Sequence, residues 1–174
     1  FLPMYSIMGV VQDSLSKVIL DKDNLIPPLN EPNESSYYPT PPTRYLFEDC
    51  CNEFWWLMPY IAKGIARAKP AYAQAHLSLA RQQLLQMLVW QFGLLTRFQR
   101  NTGKFGRALP SVIGEETWQK FLDTYPASTT EGMTAAMYCQ MDLFDETAKL
   151  VSDKTGFPYD RQPGLNVREL LTHY

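Results

Sequence analysis

Apolar residues recur at helical spacing along most of the chain, most densely over residues 43–69. There Leu46, Phe47, Cys50, Phe54, Leu57, Met58, Ile61 and Ile65 follow at steps of one, three or four, which puts them on one side of a helix. Thr43 stands just ahead of this pattern as the expected N-cap. Pro59 predicts a bend or a restart, because it removes an internal hydrogen bond and crowds the preceding turn. Pro70 opens a second helix, expected to reach about residue 100. Leu77, Ala80, Leu84, Leu88 and Leu95 make one face of it, widened by Met87, Val89, Phe92 and Leu94. Apolar cover this broad predicts the central member of a bundle. A shorter helix is expected within residues 109–125, with Trp118, Phe121 and Leu122 turned inward. A last long one, capped by Thr129 or Thr130, carries Met133, Met137, Met141, Phe144, Ala148 and Val151 to about residue 154. Val167, Leu170 and Leu171 mark a short amphipathic piece near the end.

Before residue 43 the periodicity is lost. Residues 1–11 are apolar but interrupted by Pro3 and Gly9, and read as the end of a strand followed by a short helical turn. In residues 13–23, Val18, Ile19 and Leu20 stand between charged flanks and predict a short edge strand, with a helix as the competing reading. Residues 25–42 hold Pro27, Pro28, Pro32, Pro39, Pro41 and Pro42, which deny the backbone both helix continuation and ladder donors. The expected architecture is an all-α multi-helix bundle over 43–174, preceded by a short strand-containing remnant over 1–24 and a proline-rich linker over 25–42. The chain starts in mid-pattern without an initiator Met, as expected of a piece of a larger protein.

The polar positions of the first helix are also ordered. Asp49, Glu53, Trp56, Tyr60, Lys63 and Arg67 succeed one another at steps of four, three, four, three and four, and so form one stripe. Two carboxylates lead into two aromatic rings and then two cations. A solvated helix face is the competing explanation, although such faces rarely carry Trp and Tyr between their charges. Carboxylates one turn apart can bind a cation, activate a hydroxyl or cap a polar network. Glycoside hydrolysis fits poorly, since it needs its two acids on opposite sides of a sugar. Rings beside carboxylates favour an amine-bearing sugar, held by stacking, cation–π contact and charge pairing. Lys63 and Arg67 suit phosphate.

Composition narrows the choices. A formal net charge of -2 argues against a dedicated nucleic-acid binder. Residues 97–107, RFQRNTGKFGR, form a basic glycine-containing turn able to meet phosphate, yet the remaining residues of a phosphate-binding loop are missing. The cysteines are Cys50, Cys51 and Cys139, a number and spacing suited to free thiols in a reducing cytoplasm rather than to disulfides or zinc. With only His76 and His173, a histidine-based metal site or triad is not expected. No apolar run is long enough to predict a membrane span.

The segment FEDCCNEFWWLMPYIAKGIAR resembles the hallmark region of the aminoglycoside 6-adenylyltransferases, the streptomycin-modifying enzymes. DSLSKVILDKDN, QLLQMLVWQFGLLTRF, GKFGRAL, ETWQKFLDTYP and MYCQMDLF resemble the same family in the same order. The resemblance implies that residues 1–24 are the tail of a nucleotidyltransferase domain and 43–174 the helical substrate-binding domain. It implies that the intact protein moves AMP from ATP to the 6-hydroxyl of streptomycin or a related aminoglycoside, with Mg²⁺ held by aspartates upstream of residue 1. No metal ligand is then expected in this chain, and the fragment alone would be inactive. Leu2 and Pro3 would end the strand bearing the last of those aspartates. Asp49 would be the general base and Glu53 the neighbouring acid on the antibiotic, with Trp56, Tyr60 and Trp90 as walls for the antibiotic or the adenine and Lys63 toward the triphosphate. Arg67, by its place on the stripe, is expected on the nucleotide side with Lys63. A non-catalytic helical module that binds a small cation or a protein is the alternative.

Overall fold

The computed structural model describes residues 13–173. The first helix, α1 (Arg44–Ala66), begins where the extended Thr43 turns its hydroxyl back to accept the N–H of Leu46. It runs through Pro59 as one helix instead of restarting there. Phe54, Leu57, Met58, Ile61 and Ala62 are all buried on either side of the proline, so tertiary packing offsets the lost hydrogen bond. The helix ends at Arg67, and Ala68, in the left-handed region at φ 51°, turns the chain back. The second helix, α2 (Pro70–Thr96), then lies antiparallel to α1, as the pairing of Tyr60 with His76 and of Cys50 with Gln83 requires.

Gly64 lets this hairpin close. A Cβ at that position would lie 2.9 Å from Tyr72 Cδ1 and 3.1 Å from the Ala73 Cβ. At the other end α2 stops about four residues earlier than its apolar pattern predicts. Arg97 and Phe98 both take positive φ, and the Phe98 ring folds back into space that only Gly93 leaves free. The expected single helix over 109–125 is two: α3 (Pro110–Ile113) and α4 (Glu115–Leu122), divided at Gly114 with φ 94°. Phe121 is buried and Trp118 half-buried, whereas Leu122 faces outward.

The fifth helix, α5 (Thr130–Thr155), is capped by Thr129, whose hydroxyl accepts the Gly132 N–H. Its six predicted core residues are all buried. Phe144 stacks face to face on Phe54 of α1 at 3.8 Å between centroids and 3° between planes, with Trp55 edge-on to both. The last helix, α6 (Gln162–Leu171), crosses α1 where Gly164 meets the Trp55 ring. The core thus lies between α1, α2 and α5, and α2 is central because α1, α3 and α5 all pack on it. No described helix is long and apolar enough to cross a membrane.

One expectation is overturned. The described residues contain no strand, only α-helices and two short 3-10 turns, so the strand expected at Val18–Leu20 is absent. Ile19 is 95 % exposed and Leu20 68 %, and no neighbouring strand offers the ladder that an extended segment needs. Side-chain capping holds the region instead: Asp21 accepts the N–H groups of Leu25 and Ile26, and Ser14 and Asn33 pair through hydroxyl and backbone. The strand and turn expected over residues 1–11, including Leu2 and Pro3, lie outside the described residues.

Candidate functional site

The stripe on α1 faces the seam with α2, and its members fall into two groups. Asp49 is exposed at the N-terminal end, where it lines a groove of about 400 Å³ with Pro39, Pro41, Gln83, Gln86 and Trp90. The proline-rich segment forms one wall of this groove and α2 the other. Two residues singled out from the sequence, Asp49 and Trp90, therefore share one concavity, although Trp90 is only 5 % exposed and offers little more than an edge. Glu53 lies one turn further on and is exposed, with no salt bridge to it among the described residues. Arg44 pairs with Glu48 at 2.7 Å, which leaves the two stripe carboxylates without that cation.

The second group is aromatic. Trp56 is exposed, and its ring lies 5.7 Å from that of Tyr60. Tyr60 in turn stacks on His76 of α2, with centroids 5.5 Å apart and planes within 7°. The His76 ring meets Tyr72 at 4.2 Å, and the Lys63 ammonium sits 5.5 Å from the Tyr60 centroid. Trp55, adjacent to Trp56, is buried in the core, so the two indoles divide into one packing ring and one surface ring.

The helical rise separates the groups. Asp49 and Lys63 are about 21 Å apart along the axis, at roughly 1.5 Å per residue. Arg67 lies beyond the end of α1, as its exposed C-cap. The structure thus brings Asp49 to Trp90, and Trp56 and Tyr60 to Lys63, with Glu53 between the groups and Arg67 outside both.

Sequence reasoning picked out Trp90 but missed the rest of the α2 side of the seam. Tyr72, His76, Leu79, Gln83, Gln86 and Trp90 repeat the same alternation of four and three as the α1 stripe. That signal was present in the sequence but was masked by the apolar breadth of the helix.

Cys50 also borders the groove, and its thiol donates to the Gln83 carbonyl at 3.4 Å. Burial, then the neighbouring Cys51 and Asp49, pushes its pKa far up, and burial and Glu48 push Cys51 up to about 12. Neither is a nucleophile at neutral pH. A second cavity of about 270 Å³ lies across α1, between Glu48, Trp55, Tyr159 and Asp160. The polar groups beside it serve the turn before α6: the Tyr159 hydroxyl donates to Asp145 at 3.0 Å, and Arg161 pairs with the same carboxylate. Among the described residues, no three His, Cys, Asp or Glu side chains converge as a metal site would need.

The chain matches the family described as streptomycin adenylyltransferase over residues 2–174. It is 33 % identical over 150 residues to the aminoglycoside 6-adenylyltransferase of Campylobacter jejuni, covering 84 % of this chain and 51 % of that protein. The enzyme of the same name from Bacillus subtilis (strain 168) is 32 % identical over 148 residues, covering 84 % and 52 %. The crystal structure of an aminoglycoside 6-adenyltransferase from Bacillus subtilis superposes with a TM-score of 0.68 at 26 % identity, over 88 % of this chain and 57 % of that one. The chain spans about half the length of the curated relatives it matches.

Proposed function

The chain belongs to the streptomycin adenylyltransferase family, and from that premise we propose that residues 43–174 are the antibiotic-holding domain of an aminoglycoside 6-adenylyltransferase. In the intact protein, AMP passes from ATP to the 6-hydroxyl of streptomycin or a close relative. One observation carries this reading: Asp49 heads a polar stripe and opens into a groove that admits part of a small ligand. The side chains beside it, Gln83 and Gln86, supply neutral hydrogen-bond partners for a hydroxyl-rich ring.

In this reading Asp49 accepts the proton of the attacking hydroxyl as its oxygen bonds the α-phosphorus and pyrophosphate leaves. Glu53 pairs with a cationic group of the antibiotic, and Trp90 closes the groove floor. Trp56 and Tyr60 extend the contact along α1. ATP and Mg²⁺ serve the reaction, but the described residues offer no carboxylate cluster for the metal. We therefore assign metal and most nucleotide contacts to another domain of the intact protein, with residues 1–24 as its tail and 25–42 as the link. Lys63 and Arg67, expected to face the triphosphate, stand too far along α1 to reach a phosphate being attacked at Asp49. We place Lys63 with the aromatic rings instead.

The test is AMP transfer by the full-length protein with ATP, Mg²⁺ and streptomycin. Incorporation of labelled AMP into the antibiotic supports the reading. Its absence across several aminoglycosides, with streptomycin binding retained, would favour the non-catalytic module.

A further inference from the structure

We infer that Tyr72 and His76 of α2 join Trp56 and Tyr60 of α1 in one aromatic platform that takes an uncharged sugar-ring face of the aminoglycoside. The inference rests on the proposed function and extends its site onto a second helix.

The four rings form a continuous row across the hairpin: Trp56 to Tyr60 at 5.7 Å, Tyr60 to His76 at 5.5 Å, and His76 to Tyr72 at 4.2 Å. The two outer rings are open to solvent, Trp56 at 65 % and Tyr72 at 43 %, and Tyr60 and His76 between them are half-buried, so the row lies at the surface and not in the core. Its orientation is fixed. His76 Nδ1 lies 2.8 Å from the Tyr72 carbonyl oxygen, which can only accept; the proton therefore sits on Nδ1, and Nε2 is left free. Tyr72 is positioned in turn by Gly64, above which its Cδ1 passes so closely that any Cβ there would displace the ring.

Charge selects the occupant. The Lys63 ammonium already stands over the Tyr60 ring, so a second ammonium on that face meets a like charge. Asp49 and Glu53, at the other end of the stripe, attract cationic groups instead. A ligand lying along the seam is thereby polarised, with its basic ring at the carboxylates and a neutral, C–H-rich ring face on the platform. Along the axis Trp56 is about 10 Å and Tyr60 about 16 Å from Asp49. The platform thus serves a ring beyond the one that reacts.

The experiment uses the full-length protein, with steady-state transfer to streptomycin and calorimetry with both streptomycin and its guanidinylated cyclitol alone. Tyr72→Ala and His76→Ala should each raise the streptomycin KM about fivefold, the size of one aromatic contact, with kcat held within about twofold. His76→Phe should restore the KM, because a ring is what the site requires. Affinity for the isolated cyclitol should not change. An unchanged KM, or an equal loss for the cyclitol, would overturn the inference, as would a fall in thermal stability as the only effect. If the unaltered protein transfers no AMP, the proposed function fails on its own. Calorimetry still decides the platform in that case: selective weakening of streptomycin over the cyclitol upholds it, and no selective weakening, or no binding of either, removes it.

Discussion

Among the described residues Arg81 is the only buried cation, at 8 % exposed, and it forms no salt bridge with any of them. Its Nε donates to Thr124 Oγ1 at 2.9 Å and its Nη2 to the Thr124 carbonyl at 2.6 Å, while the guanidinium lies 4.0 Å from the Tyr125 ring centroid. Burial lowers its pKa, the expected sign for a cation removed from water. The Thr124 hydroxyl donates to Phe121, so one side chain ties α2 to the end of α4 through a single threonine. Two perturbations separate the contributions. Thr124→Val keeps the shape but strips the buried guanidinium of one acceptor, and should cost about 2 kcal/mol, in the range of a hydrogen bond to a charged group. Arg81→Met keeps most of the stem and removes the desolvated charge, leaving the Thr124 carbonyl without its donor and the Thr124 hydroxyl with its bond to Phe121 alone, and should cost about 1 kcal/mol. Urea unfolding with linear extrapolation measures both. Should Arg81→Met prove more damaging than Thr124→Val, the buried charge contributes more than its desolvation costs, opposite to the expected order.

Other predictions follow from the same packing. Phe144→Ala should destabilise by about 3–5 kcal/mol in the same assay, because it empties a fully buried position stacked on Phe54; a loss under about 1 kcal/mol would mean that the site collapses around it. Gly64→Ala should cost about 1–3 kcal/mol and move Tyr72, visible as a changed tyrosine ring environment by NMR. Cys50, Cys51 and Tyr159 all have raised pKa values from burial, so the folded chain holds their protons more tightly than the unfolded one. Their stabilisation is complete below the ordinary thiol range and lost as pH climbs from about 8.5 toward 12. Unfolding midpoints should fall over that window, and Cys50 and Cys51 should resist a thiol reagent at pH 8 until the chain unfolds.

The helical domain was legible because its core positions repeat at the helical period: Phe47, Phe54, Met58 and Ile61 in α1 and Met133, Met137 and Met141 in α5 are all buried. Helix ends were less so. The early stop of α2 depends on the Phe98 ring folding over Gly93, and the break between α3 and α4 on a glycine at φ 94°, both tertiary or backbone events without a periodic signature. Val18, Ile19 and Leu20 looked like a strand because a short apolar run led by two β-branched residues favours extended backbone, but a strand exists only through its neighbours, and the described residues provide none. At the site, the α1 stripe could be read because its charges interrupt an apolar pattern. Of the facing row only Trp90 was picked out; Tyr72, His76, Leu79, Gln83 and Gln86 could not be, since such residues on a broad apolar helix resemble its core until the partner helix is in place.

The proposed role of Asp49 as acceptor of the antibiotic hydroxyl's proton is tested by AMP transfer with the full-length protein and its Asp49→Asn variant at saturating streptomycin. Asparagine preserves the groove but cannot act as the base, so kcat should fall at least about a hundredfold while the streptomycin Kd moves less than about tenfold. A variant whose kcat stays within about threefold of the unaltered protein would exclude Asp49 as the base.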